Sequence, residues 1–291
     1  MTRLIETELR RLLARRILRV IALALAVGVL VAGPTAFSKS NRDIAGATAK
    51  ARAEAERGYL QCIEEMRGKG GGCEEPRLAE ITAEPRFKLV SLVDVSENVA
   101  AIALMLALVM GSSFVGADWN HRLVTTVLTW EPRRERVLLA KIAAVSLVAF
   151  LGAVAFEAIL GAALAPAAIF RGTVEGVTPS WFATLSGSIL RVGLAAAFAG
   201  ALGCILATIG RATAAALGGV FAWLAVGENI IRNLAPGWTR WMIGDSLGAF
   251  LKVAPSDEAV RVSWSAGLLL LSYLLLAAAV AAHLFRTRDV A

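Results

Sequence analysis

Signatures of catalysis and metal binding are scarce in this 291-residue sequence. It contains no GxxxxGK[ST] phosphate-binding loop, no HExxH and no CxxC motif. ATP hydrolysis and zinc chemistry therefore have no recognisable site. The two histidines, His121 and His283, lie far apart in the sequence. We expect a non-enzymatic chain that binds no metal and no cofactor of its own.

Charged residues are also few, at 18% of the chain, whereas 57% of the residues are hydrophobic. A soluble domain has about 25% charged residues. Apolar stretches long enough to cross a bilayer, about 20 residues each, recur along the sequence. This predicts an all-α polytopic membrane protein forming a single domain over 1–291. Its six transmembrane helices are expected near 18–37, 91–116, 137–169, 183–209, 212–234 and 263–285.

The basic residues indicate how these spans are oriented. The net charge is +7, and the arginines and lysines cluster beside the spans, which is typical of membrane topology rather than of nucleic-acid binding. Residues 1–17 predict an amphipathic interface helix, with Arg10, Arg11, Arg15 and Arg16 turned toward lipid headgroups. We expect both termini on the cytoplasmic side. The first apolar stretch follows a charged helix rather than a cleavable signal, and we expect it to be retained.

Two longer segments are expected on the outer side. Residues 38–90 are rich in helix formers and predict a helical projection, with Cys62 and Cys73 placed to form a disulfide or to remain as two thiols. Residues 235–262 predict a short helix in the outer interface. The third span is too long for a straight crossing, and we expect it to tilt or break near Gly161 or Pro166.

Several ionisable residues fall within the spans, where a charge is costly to bury. Asp94 and Glu97 begin span two. Glu157, Arg191 and Glu228 lie in spans three, four and five. A Glu157–Arg191 ion pair would neutralise two of them. A substrate path through these groups is the alternative, and a proton relay is a third.

The segment between spans two and three predicts a short helix rather than a simple connecting turn. An acidic residue, Asp118, follows the second span, and Leu123 and Leu128 then mark a short amphipathic helix that Pro132 ends. Arg134 belongs to an arginine cluster that leads into the third span. A rigid helix held between two spans at the cytoplasmic surface is suited to receive a push from a soluble partner.

This coupling region, residues 118–136, resembles that of type-2 ABC transporter permeases, the membrane subunits of many bacterial ABC exporters. Asp118 takes the family's acidic place, Leu128 and Thr129 the end of the helix, Pro132 and Arg134 the turn, and Lys141 the start of the next span. The sequence has Arg122-Leu123 where the family has Gly-Thr. The interface helix, the count of six spans and the outer segment before span six also resemble the family.

The resemblance implies a transport function with divided labour. A separate ABC ATPase, which would bind ATP and Mg²⁺, is expected to dock on residues 118–136 in the bacterial inner membrane. A second copy of this permease or a related one would complete the transporter. Alanine at Asp118 or Arg134 is expected to uncouple transport without unfolding the chain.

Two other classes of function remain open from the residues alone. One is a proton-coupled secondary carrier that uses Glu157 and Glu228. The other is a non-transporting scaffold or sensor whose segment 38–90 binds a partner. Association with an ATPase would separate the permease from both.

Overall fold

A computed structural model describes residues 1–66, 73–77, 84–120, 133–252 and 263–287, together with Leu123, Thr129 and Glu131. Helices account for 88% of the structure, and the described residues form no strand. Their bounds are, in chain order, α1 Thr2–Leu13, α2 Arg16–Lys39, α3 Ile44–Met66, α4 Leu92–Asn120, α5 Arg134–Pro166, α6 Pro179–Gly210, α7 Thr213–Ala222, α8 Glu228–Leu234, α9 Ile243–Leu251 and α10 Ser263–Thr287.

Within the described part of the chain, six helical stretches are long and apolar enough to cross a membrane, as the hydropathy predicts. They cover 16–39, 89–120, 134–171, 179–210, 213–234 and 264–287. Each overlaps a predicted span; the first four extend it at both ends, the fifth is one residue shorter, and the sixth begins one residue later and ends two residues later. An all-α chain with six candidate transmembrane helices is therefore confirmed.

The third stretch changes its helical geometry at a proline. α5 runs without a break past Gly161 to Pro166, and a single π-helical turn follows at Ala167–Arg171. Because proline lacks an N–H and its ring crowds the preceding turn, a wider turn is a common way to relieve the contact. A second π-helical turn, Trp223–Gly227, joins α7 to α8.

The chain forms two compact units. The smaller comprises residues 28–92 and 160–178. It contains α3, whose residues are all at least partly exposed, and the disulfide between Cys62 and Cys73. Beside the start of the second span, the hydrogen bond donated by the Arg86 guanidinium lowers the pKa of Glu84 to about 2.

The larger unit comprises residues 1–27, 93–159 and 179–291. Its core is built from small and medium side chains of α4, α5 and α6, among them Ala103, Ala149 and Ala196. α6 is the central helix of this core, since fourteen of its residues are buried. The last helix, α10, packs against α6 and α9.

Glycines bring α4 and α6 into backbone contact within this unit. A Cβ atom at Gly111 would overlap the carbonyl oxygen of Gly200, and one at Gly203 would lie 2.5 Å from the carbonyl oxygen of Leu108. Lipid chains are as apolar as the helix surfaces, so helices in a membrane gain little from hydrophobic burial and rely on such close packing. The α4–α6 crossing therefore depends on the absence of side chains at Gly111 and Gly203.

We expect Gly111→Ala to destabilise the chain by about 1–3 kcal/mol, the usual cost of overpacking a tight core. Gly152→Ala is the matched control, because a Cβ at Gly152 in α5 would meet no atom within 4 Å. Thermal unfolding of both variants in detergent measures the difference. Equal midpoints for the two variants would contradict the close crossing.

Candidate functional site

A buried ionic cluster lies where α4 ends and α5 begins. We call residues 121–133, which join these helices, the connector, and this end of the larger unit the connector end. The cluster contains two carboxylates and three cations drawn from the N-terminal segment, α4 and α5. These five residues, the ionic network, are Glu8, Arg11, Arg15, Asp118 and Lys141.

Asp118 is the centre of the ionic network. It is 1% exposed, and all three cations reach it. Its Oδ1 accepts from Arg15 Nη2 at 2.6 Å and from Arg11 Nη2 at 3.3 Å, while its Oδ2 accepts from Lys141 Nζ at 2.5 Å. Charge-assisted bonds of this kind are about twice as strong as neutral ones, which offsets the cost of burying the carboxylate.

Lys141 lies in the second turn of α5, and its ammonium group is satisfied by its surroundings. Two of its contacts go to carboxylates, Asp118 at 2.5 Å and Glu8 Oε2 at 3.1 Å. The ring of Phe114 lies 4.7 Å from Nζ, and the Arg15 guanidinium lies 4.8 Å from the same ring. Phe114 is therefore a cation–π partner of two members of the network.

The N-terminal segment supplies three members of the network. Glu8 and Arg11 lie three residues apart on one face of α1, and Arg15 lies between the end of α1 at Leu13 and the start of α2 at Arg16. Glu8 is 2% exposed and accepts from Arg11 Nη1 at 2.9 Å. With three cations and two carboxylates, the network has a formal charge of +1. Without Glu8 this charge would be +2, so Glu8 limits the repulsion among the cations.

The cavity beside the network is too small for a transported molecule. It measures about 20 Å³ and is bordered by Asp118, Lys141, Trp119 and Phe285. Ligand pockets typically measure several hundred Å³. The connector end is therefore organised to hold helices together rather than to bind a substrate at this cavity.

The last helix is attached at the same end. Arg134, the first residue of α5, donates from Nη1 to the carbonyl oxygen of Phe285 at 2.9 Å. Glu135 pairs with Arg286 at 2.9 Å, but both side chains are more than half exposed, so this pair contributes little. Arg134 thus joins the connector side of α5 to α10.

The residues predicted to meet an ATPase differ in their surroundings. Asp118 is buried and contacts the chain itself, so we expect its replacement to affect the stability of the chain as well as coupling. Leu123 and Thr129 are helical and exposed. Leu128 and Pro132 lie outside the described residues.

The predicted intramembrane charges occupy separate places. Arg191 donates to the carbonyl oxygen of Lys252 at 3.1 Å, and Glu157 belongs to none of the ion pairs seen in the described ranges. Glu228 is 3% exposed and accepts the N–H of Gly244, in the first turn of α9, at 2.9 Å. That bond joins segment 235–252 to the fifth candidate span.

The pentapeptide Gly244–Gly248 matches the pattern Gly-x-Ser-x-Gly. In hydrolases that pattern places an exposed serine on a turn between a strand and a helix. Here Ser246 lies inside α9 and is fully buried. His283 is exposed near the end of α10. Tyr273, ten residues earlier on the same helix, donates its hydroxyl to the carbonyl oxygen of Trp241, just before α9. The segment therefore lacks the geometry of a nucleophile elbow.

Most of the ionic network was not predicted from the sequence. Arg11 and Arg15 turn inward to Asp118 instead of facing lipid headgroups, because a buried carboxylate attracts them. Arg10 and Arg16 are exposed, as expected. The available signal was Glu8, an acidic residue on the same helical face as Arg11.

Comparison of the chain with models of protein families, with curated proteins and with solved structures found no match.

Replacing Asp118 with asparagine keeps its shape but leaves three cations facing one remaining carboxylate. We expect Asp118→Asn to destabilise the chain by about 3–5 kcal/mol, as when one partner of a buried ion pair is removed. Adding Lys141→Met should recover part of this loss, since it removes one of the unpaired cations. Thermal unfolding of the purified chain in detergent measures both effects.

The control for this prediction is Glu6→Gln. Glu6 pairs with Arg10 at 2.6 Å on the exposed side of α1, where an ion pair contributes less than about 1 kcal/mol. Equal losses for Asp118→Asn and Glu6→Gln would show that the buried network does not stabilise the connector end.

Proposed function

We propose that this chain is the membrane permease subunit of an ATP-driven ABC exporter. The subunit itself performs no catalytic chemistry in this proposal. A separate ABC ATPase docks at the connector and binds ATP and Mg²⁺, and ATP binding closes the ATPase pair and moves the coupling helix. A second copy of the chain, or a related permease, completes the translocation path through the bacterial inner membrane.

The observation that carries the proposal is the buried ionic network at the connector end. It joins α1, α4 and α5 through contacts to Asp118 between 2.5 and 3.3 Å. A force applied to the connector would therefore move these three helices together. A connector with only a linking role has no need of such an attachment.

The charge distribution supports the same proposal. Arg10, Arg16 and Arg19 are exposed beside the network, and basic residues next to spans favour the cytoplasmic side. The connector would then face the compartment that contains ATP. An even number of spans would put both termini on one side of the membrane, and the exposed arginines favour the cytoplasmic side for them.

The exposed positions of the connector provide the test. We expect Leu123→Arg to abolish association with an ATPase partner, because a charge would replace a leucine that is 40% exposed and available for an apolar contact. The full-length chain is purified from its native membranes in mild detergent. The measurement is ATPase activity retained with the chain, together with a co-purified protein that contains GxxxxGK[ST].

Leu60→Arg is the matched control. Leu60 is 57% exposed in α3, and the proposal places it on the opposite side of the membrane from the ATPase. It should retain full ATPase activity. The proposal fails if the wild-type chain carries no ATPase, or if Leu123→Arg and Leu60→Arg retain equal amounts.

A further inference from the structure

Glu157 belongs to a buried polar cluster far from the connector end. The residue is 4% exposed, and its Oε1 atom is buried without a hydrogen-bond partner within the described residues. The hydroxyl of Ser96, on α4, is the hydrogen-bonding neighbour of its carboxyl group. Ser188, on α6, donates to the Ser96 hydroxyl at 3.2 Å. Three packed helices therefore each contribute one polar side chain to this cluster.

No cation of the described residues neutralises Glu157. The charged groups on the helices packed around it are Asp94 and Glu97 at the start of α4 and Arg191 in α6. Arg191 instead donates to the Lys252 carbonyl oxygen at 3.1 Å. The ionic network is remote as well, since Lys141 lies sixteen residues earlier in α5, about 24 Å along the helix axis.

A carboxylate in such surroundings is stable only if something neutralises it. Transfer of an isolated ionised carboxylate to a medium of low dielectric constant costs far more free energy than hydrogen bonds from one or two serine hydroxyls contribute. A proton removes the charge and leaves a neutral acid that still accepts a hydrogen bond from Ser96. Among neutralising ligands, a proton is also the one that requires no cavity.

We propose that Glu157, Ser96 and Ser188 form an intramembrane proton-binding site, occupied at neutral pH while α4, α5 and α6 are packed together. Separation of these helices would admit water to the carboxyl group and release the proton. Proton binding and helix packing are then linked, and the linkage is reciprocal. This site is independent of the permease assignment, because it depends only on the larger unit.

The direction of the pH effect follows from the proton affinities of the packed state and of the opened state. The packed state binds the proton more tightly than the opened, hydrated state. Acidic conditions therefore favour packing, and rising pH favours opening or unfolding. For one linked proton, the equilibrium changes by up to about tenfold for each pH unit.

Infrared spectroscopy of the full-length chain in lipid bilayers tests the site directly. At neutral pH we expect a C=O stretching band of a protonated carboxylic acid that is absent from Glu157→Gln. Glu228→Gln is the control: Glu228 is equally buried, but its carboxylate accepts the Gly244 N–H and lies 3.9 Å from Arg232, so this variant should keep the band. A wild-type chain without a Glu157-dependent band at neutral pH would overturn the proposal.

The pH dependence of thermal unfolding provides a second measurement. Glu157→Gln resembles the protonated carboxyl group in shape and charge, so it should match the wild type at acidic pH. At alkaline pH it should unfold at a higher temperature than the wild type. Parallel pH profiles for the two proteins would overturn the proposal, and so would a Glu157→Gln chain that fails to fold at acidic pH.

Discussion

The contact between Lys141 and Asp118 decides how the connector end is built. Asp118 is almost fully buried, and a buried carboxylate must find cations. Lys141 supplies one from α5, and the N-terminal segment supplies two more through Arg11 and Arg15. The surplus of positive charge then requires Glu8. The position of α1 is thus a consequence of one acidic residue at the end of α4, since three of the five members of the ionic network lie in the N-terminal segment.

The close crossing of α4 and α6 imposes a different constraint. With Gly111 against Gly200, the two backbones touch, and no side chain can intervene. The buried charged groups of α4 and α5 lie toward the two ends of this core, and their surroundings differ between the ends. Charges are matched at the connector end, whereas at the other end no ion pair of the described residues includes Glu157, whose hydrogen-bonding neighbour Ser96 accepts from Ser188. Ion pairs hold the helices together at the connector end, and the proposed proton-binding site lies at the Glu157 end.

Hydropathy predicted the six spans because each is a local property of about 20 residues. It could not predict the ionic network, because its contacts join residues separated by as much as 133 positions in the sequence. Helical periodicity placed Arg11 and Arg15 together but assigned them to lipid, since amphipathicity does not reveal a buried acid on another helix. The same limit applies to Glu157, for which an ion pair with Arg191 was a reasonable hypothesis until the Lys252 carbonyl proved to be the nearer acceptor. Leu128 and Pro132 lie outside the described residues, so the end of the coupling helix stays a prediction.

The ionic network and the Glu157 cluster are joined by one rigid element. Asp118 and Ser96 lie on α4, with the tight contact at Gly111 between them. Seven residues separate Asp118 from Gly111, and fifteen separate Gly111 from Ser96, which correspond to about 10 Å and about 22 Å along the axis. If α4 tilts about this contact, Ser96 moves roughly twice as far as Asp118. A shift of about 1 Å at the connector end would then move Ser96 by about 2 Å, enough to break its hydrogen bond to Glu157. Lys141 and Glu157 are likewise on one helix, α5, so a change in the angle between α4 and α5 at the Glu157 cluster would also strain the contact between Asp118 and Lys141.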